Sequence, residues 1–172
     1  MHPLLPSLAA AGLYAAAAFY QGLRLQQRST SDKRLLVLLG VLALLFHGGS
    51  LFMQMFDGSG LFLDFFKAAS LIAAAVILLT LLACSRIPVE NLLVLLFPLG
   101  AITVLLAQFA PTGTVQIIDE EPGILAHILL SILAYGMFTI AVFQALLDEV
   151  MMMPVLVAAS PAFRYGTKVS PA

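Results

Sequence analysis

Five apolar stretches, each close to the length that an α-helix needs to cross a bilayer, divide this chain. They cover approximately residues 4–23, 35–56, 64–84, 90–110 and 123–147. A spanning helix needs about 20 apolar residues, and backbone groups in lipid must be satisfied inside helices or closed barrels. Because the stretches are long and continuous, we predict an all-α, polytopic transmembrane bundle of about five spans over residues 1–147.

The composition supports a membrane protein. Hydrophobic residues make up 62% of the 172 residues and charged residues 10%, with a mean hydropathy of +1.06. Soluble domains have roughly 45–50% apolar and about 25% charged residues. The net charge of -1 gives no sign of nucleic-acid binding. The single cysteine, Cys84, excludes an internal disulfide and a thiolate zinc site, and we expect it to be a small buried hydrophobe.

The distribution of charged residues predicts the orientation of the helices. Acidic residues occupy the second and fourth connections, and basic residues lie mainly in the first and third: Arg24, Arg28, Lys33, Arg34 and Arg86. The positive-inside rule therefore places the amino terminus outside and the carboxy terminus in the cytoplasm. The basic residues follow the first apolar stretch, as in a retained anchor rather than a cleaved signal peptide. Residues 148–172 contain three prolines and predict a poorly ordered cytoplasmic tail.

Two histidines, His47 and His127, lie inside apolar stretches. An ionisable side chain at membrane depth is costly and is therefore a candidate for a functional site, and imidazole is the commonest metal ligand. The orientation predicts that both lie in the outer half of the membrane. Small and polar residues share the helix face of His47, which leaves room for a flat ligand or a neighbouring helix: Gly40, Ala43, Ser50 and Gln54.

These histidines leave several interpretations open. Each could simply form a hydrogen bond to a neighbouring helix. A zinc site would require more ligands than two histidines, whereas haem needs only one or two axial histidines and apolar walls. Lys67, three residues after Asp64, could pair with that carboxylate, extend to the membrane surface or contact an anionic group of a ligand.

The segments around both histidines resemble the cytochrome c assembly family. EEPGILAHILLSILAYGMFTIAVFQALL, which contains His127, is similar to the transmembrane histidine segment of the CcsA/CcmC-like haem-handling proteins. LLFHGGSLFMQ, which contains His47, is similar to the second-helix histidine of their YpjD-type inner-membrane branch. The family's tryptophan-rich outer motif is absent because the chain contains no tryptophan. The family continues through further spans, so we expect the carboxy-terminal part of its domain to be missing.

The resemblance implies a function in a bacterial inner membrane. His47 and His127 would be the axial ligands of a non-covalent b-type haem, and Lys67 would be a candidate contact for a propionate. The partners would be apocytochrome c or other assembly proteins, and we expect haem delivery rather than catalysis.

Two other classes of function remain as alternatives. One is a transporter or channel subunit with a histidine proton relay, although no carboxylate lies at the centre of a predicted span. The other is a non-catalytic membrane partner that binds no ligand itself.

Overall fold

A computed structural model describes residues 3–26, 33–56, 61–86, 89–111, 116–118 and 122–159. Its helices are α1 (Leu4–Gln26), α2 (Arg34–Met55), α3 (Phe65–Ala83), α4 (Leu93–Phe109) and α5 (Pro122–Ala159); a 3₁₀ turn, Glu90–Leu92, leads into α4, and two strands are β1 (Leu61–Leu63) and β2 (Gln116–Ile118). All five helices are long and apolar enough to span a membrane. The predicted all-α transmembrane bundle is therefore confirmed.

The helices pack as an antiparallel bundle because short connections join consecutive members. α1 contacts α2 and α4, whereas α3 contacts α2, α4 and α5. We call one end of the bundle the ribbon end, because β1 and β2 pair there as an antiparallel ribbon with Leu61 opposite Ile118. The opposite end, which carries Arg24, Lys33, Arg34 and Arg86, is the basic end.

The main core lies between α1, α2, α3 and α4. Its largest fully buried members include Tyr14, Leu36, Ile77 and Phe97. The helices approach each other closely at Gly100, where an added Cβ would lie 2.6 Å from Ile77 Cδ1 and 3.1 Å from Tyr14 Cε2. Small residues permit such close contacts between transmembrane helices.

The ribbon end holds the local ion pair that the sequence offered as one interpretation. Asp64 caps α3, and its Oδ1 accepts a hydrogen bond of 2.8 Å from the Lys67 backbone N–H. Lys67 Nζ lies 3.2 Å from Asp64 Oδ2, and both side chains are buried. The pairing satisfies both charges and fixes the start of α3.

The structure differs from the sequence prediction at the end of α5. This helix continues to Ala159, so the prediction of a poorly ordered tail is wrong for residues 148–159. The segment that follows Leu147 begins with Asp-Glu-Val and three methionines, and glutamate and methionine are good helix formers. In addition, Gln144 Nε2 donates to Asp148 Oδ1 across one turn at 3.2 Å. Residues 160–172 lie outside the described residues.

Candidate functional site

His47 is completely buried between three helices. Tyr14 Oη of α1 lies 3.2 Å from His47 Nδ1, and Ser70 Oγ of α3 lies 2.7 Å from His47 Nε2. The imidazole also meets the Tyr14 ring edge-on, with centroids 5.7 Å apart and an interplanar angle of 84°. His47 therefore joins α1, α2 and α3 through both of its ring nitrogens.

This arrangement satisfies a neutral imidazole completely. A neutral histidine has one N–H donor and one acceptor nitrogen, and each hydroxyl can serve as donor or acceptor. One of Tyr14 and Ser70 therefore donates to the ring, and the other accepts from it. A ligand for a metal would need Nε2 or Nδ1, so iron could bind His47 only after one of these two hydrogen bonds is exchanged.

A second polar cluster lies nearer the ribbon end of α2. The hydroxyl groups of Ser50 and Ser7 are 2.5 Å apart, and Ser7 Oγ donates to Gln108 Oε1 at 3.0 Å. Gln54 Nε2 donates to Ser50 Oγ at 2.7 Å. The sequence placed Ser50 and Gln54 on the face of His47, but it did not identify their partners on α1 and α4.

His127 has a different environment. It is exposed on α5, where its backbone carbonyl accepts a hydrogen bond of 2.8 Å from Ser131 Oγ. Within the described part of the chain, its ring makes no hydrogen bond or ion pair. Only 11% of the membrane-spanning part of α5 is buried inside the protein, against 33–44% for the other four helices. The His127 imidazole is therefore available to a ligand.

An apolar groove lies between the two helices that carry these histidines. It has a volume of about 370 Å³ near the ribbon end, and α2, β1, α3 and α5 contribute its walls. Gly48, which follows His47, and Ile128 and Leu129, which follow His127, all line it. A Cβ added to Gly48 would meet no atom within 4 Å. The groove thus has the volume of a typical ligand pocket and open space beside α2.

The structure therefore separates the residues that the sequence grouped together. His47 lies inside the bundle and His127 on its exposed surface, while the helix segments carrying them share the groove. Lys67 lies at the ribbon end and is already paired with Asp64. Within the described ranges, no group of three or more histidine, cysteine, aspartate or glutamate residues could hold a metal ion.

The donor set and the walls fit haem in part. Haem requires apolar walls and at least one axial ligand; the groove offers the walls, whereas His127 directly precedes the lining residue Ile128 but does not itself line the groove. His47 fits only as a second ligand that must first release Ser70 or Tyr14. Ser70 and Tyr14 were not predicted as site residues. The signal for Ser70 in the sequence is a hydroxyl in an otherwise apolar stretch.

Comparison with known proteins yields one match. The family model described as "Cytochrome C assembly protein" matches residues 35–155. The matched region contains both histidines, Lys67 and the groove. No curated protein and no solved structure matches the chain.

Proposed function

Since this chain belongs to the cytochrome c assembly protein family, we propose that it binds haem for cytochrome c maturation in the groove between α2, α3 and α5. Family membership supports a role in cytochrome c maturation, and the five apolar helices indicate a multi-pass membrane protein. We further propose that His47, His127 and Lys67 hold the haem and that the chain belongs to the YpjD-type branch of the family.

One observation carries the proposal. The apolar groove of about 370 Å³ is lined by the residues that directly follow each of the two membrane histidines. Apolar walls exclude water and would retain a flat hydrophobic macrocycle, and His127, directly before the lining residue Ile128, would supply a ligand for iron. Gly48 leaves the wall open on the α2 side.

The chain's own residues then take different roles. His127 would hold the haem, because its ring is exposed and is held by no described partner. His47 would hold it through Nε2, which in this structure is bonded to Ser70. Lys67, at the ribbon end, would contact a propionate in addition to Asp64.

Bound haem would supply a redox-active iron, and the protein would hold it and deliver it without transforming it. We propose that the haem is of b type and non-covalently bound. With the amino terminus outside, the ribbon end faces outward, and the groove lies in the outer half of a bacterial inner membrane. The recipient would be apocytochrome c or another assembly protein.

The test is haem titration of the full chain purified in detergent, followed through the Soret band. We expect His127→Ala to weaken binding at least about tenfold, as the loss of a metal ligand or of its hydrogen-bond partner does. Val150→Ala, an exposed site at the far end of α5, is the matched control and should bind as the parent does. Haem spectra and affinities that are identical in the parent, His127→Ala and His47→Ala would contradict the ligand assignment.

A proton relay is the second candidate, because Tyr14, His47 and Ser70 are hydrogen-bonded in series across three helices. It predicts proton-dependent uptake into vesicles that contain no haem, and that uptake would be lost in His47→Ala. A non-catalytic membrane partner predicts neither haem binding nor uptake, but stable co-purification with another membrane protein.

A further inference from the structure

A second groove lies at the basic end, between the start of α2 and the end of α3. It has a volume of about 430 Å³. Val37, Leu38 and Val41 form its wall on α2, while Leu81 and Cys84 form the opposite wall. We call it the basic groove, because Lys33 and Arg34 stand at its mouth. It shares none of its described lining residues with the apolar groove between α2, α3 and α5.

We propose that the basic groove binds one anionic phospholipid, with an acyl chain between the helices and the phosphate at Lys33 and Arg34. This proposal is independent of haem binding.

The walls favour a hydrocarbon chain over a soluble anion. Leu38 and Val41 are 55% and 40% exposed, respectively, and no described helix covers them. The wall on α2 runs along the membrane direction for about 10 Å from Arg34 to Val41, at 1.5 Å per residue. A free phosphate would leave this apolar surface uncovered, whereas a lipid tail would cover it.

The mouth of the groove has donors suited to a phosphate. Lys33 Nζ donates to the Cys84 carbonyl at 2.9 Å, which holds the ammonium at the groove and leaves two of its three N–H donors for other acceptors. Arg34 adds a guanidinium, whose planar donors match phosphate oxygens. The first turn of α2 contains no acidic residue, and its N-cap residue Lys33 makes no side-chain capping hydrogen bond, so among the described residues the positive dipole end adds to the field.

The charge balance favours an anionic headgroup over a zwitterionic one. Lys33 and Arg34 both line the mouth, and none of the described residues that line the groove is a carboxylate. Glu90 acts electrostatically on Cys84 but stands outside the lining. Basic pockets between transmembrane helices characteristically bind anionic lipid headgroups.

The experiment measures lipid binding to the full-length protein in detergent by native mass spectrometry and thermal unfolding. Dioleoylphosphatidylglycerol is compared with dioleoylphosphatidylcholine, which has the same tails, and with inorganic phosphate. We expect dioleoylphosphatidylglycerol to bind more tightly than dioleoylphosphatidylcholine and to raise the unfolding temperature most of the three compounds. Lys33→Ala with Arg34→Ala should weaken its binding about 25-fold, at about fivefold for each basic residue.

Two further variants separate this site from general surface charge. Arg86→Ala removes a cation at the same end that does not line the groove, and it should leave binding unchanged. Val41→Trp fills the groove and keeps both cations, so it should weaken binding even if the double variant fails to fold.

The proposal is overturned by any of four results. Three are equal binding of the two lipids, an equal loss in Arg86→Ala and the double variant, and unchanged binding in Val41→Trp. The fourth is equal stabilisation by inorganic phosphate, which would identify a simple anion site without a lipid tail.

Discussion

At the residue scale, the polar side chains inside the bundle have hydrogen-bond or ion-pair partners, whereas His127 on its surface has none among the described residues. His47 and Lys67 both carry polar groups into apolar surroundings, and each is satisfied by a specific partner: Ser70 and Tyr14 for His47, and Asp64 for Lys67. A buried polar group without a partner would be costly. His127 lies instead at the exposed surface of α5, where no described residue partners its ring, so its cost in a membrane is not offset within the described part of the bundle.

Two variants test the hydrogen bonds of His47. Ser70→Ala and Tyr14→Phe should each lower the free energy of unfolding by about 1–3 kcal/mol, because each leaves a buried ring nitrogen unsatisfied. Under the haem proposal, only Ser70→Ala frees Nε2, so it should also bind haem more tightly than the parent. Chemical unfolding and haem titration measure the two effects.

Ser131→Ala is the matched control for these variants. Its hydroxyl is exposed and donates only to the carbonyl of His127 within the same helix, so its removal should change stability little. If the parent binds haem but Ser70→Ala does not bind it more tightly, His47 is not a ligand through Nε2.

At the element scale, the groove depends on how α5 meets α2 and α3. α5 packs chiefly on α3, and its inner face supplies Ile128, Leu129 and Ile132 to the groove. On α2, Gly48 leaves open space where a larger side chain would stand. The shape of the groove is therefore a property of three helices together.

Gly48→Leu tests that shape. The helix itself should tolerate the change, because leucine has a higher helix propensity than glycine by roughly 0.8 kcal/mol and an added Cβ meets no atom. The leucine should fill the groove and lower haem affinity at least about tenfold, as seen by Soret titration, which corresponds to ~1.4 kcal/mol.

Gly12→Leu is the control for this substitution. Gly12 lies on α1, and an added Cβ there also meets no atom within 4 Å. Equal haem affinities in Gly48→Leu and Gly12→Leu would show that the ligand lies elsewhere.

At the scale of the whole molecule, the predicted orientation places the basic end in the cytoplasm and the ribbon end outside. The sole cysteine makes this testable, because Cys84 reacts poorly. It is 1% exposed, and burial raises the pKa of its thiol to about 11, with Glu90 raising it further and Lys33 opposing. The reactive thiolate is therefore scarce at neutral pH and increases as the pH approaches 11.

We expect a membrane-impermeant maleimide to distinguish the two ends at pH 7. Ser85→Cys, at the exposed basic end, should react in inside-out membrane vesicles and not in intact cells. Phe65→Cys, which is 79% exposed at the ribbon end, should react from outside. The unmodified chain is the control and should label slowly in both. The reverse pattern would overturn the orientation.

Much of the fold followed from the sequence. The predicted spans 35–56 and 64–84 correspond closely to Arg34–Met55 and Phe65–Ala83, because apolar length alone identifies a helix in lipid. The ribbon and the last turns of α5 were not predicted. Three-residue strands carry too little pattern to recognise. Pro154 predicts a helix break, although α5 continues through it to Ala159.

The sequence by itself determined the five spans, the two histidines at energetically costly positions inside them, and the resemblance of the chain to the cytochrome c assembly family. Only the tertiary structure decided that His47 is enclosed by Tyr14 and Ser70 while His127 remains exposed. The reason is physical. Helical spacing shows which residues share a face, but in a membrane both faces are apolar. The packing of neighbouring helices therefore decides which face is buried and which hydroxyl reaches each imidazole nitrogen.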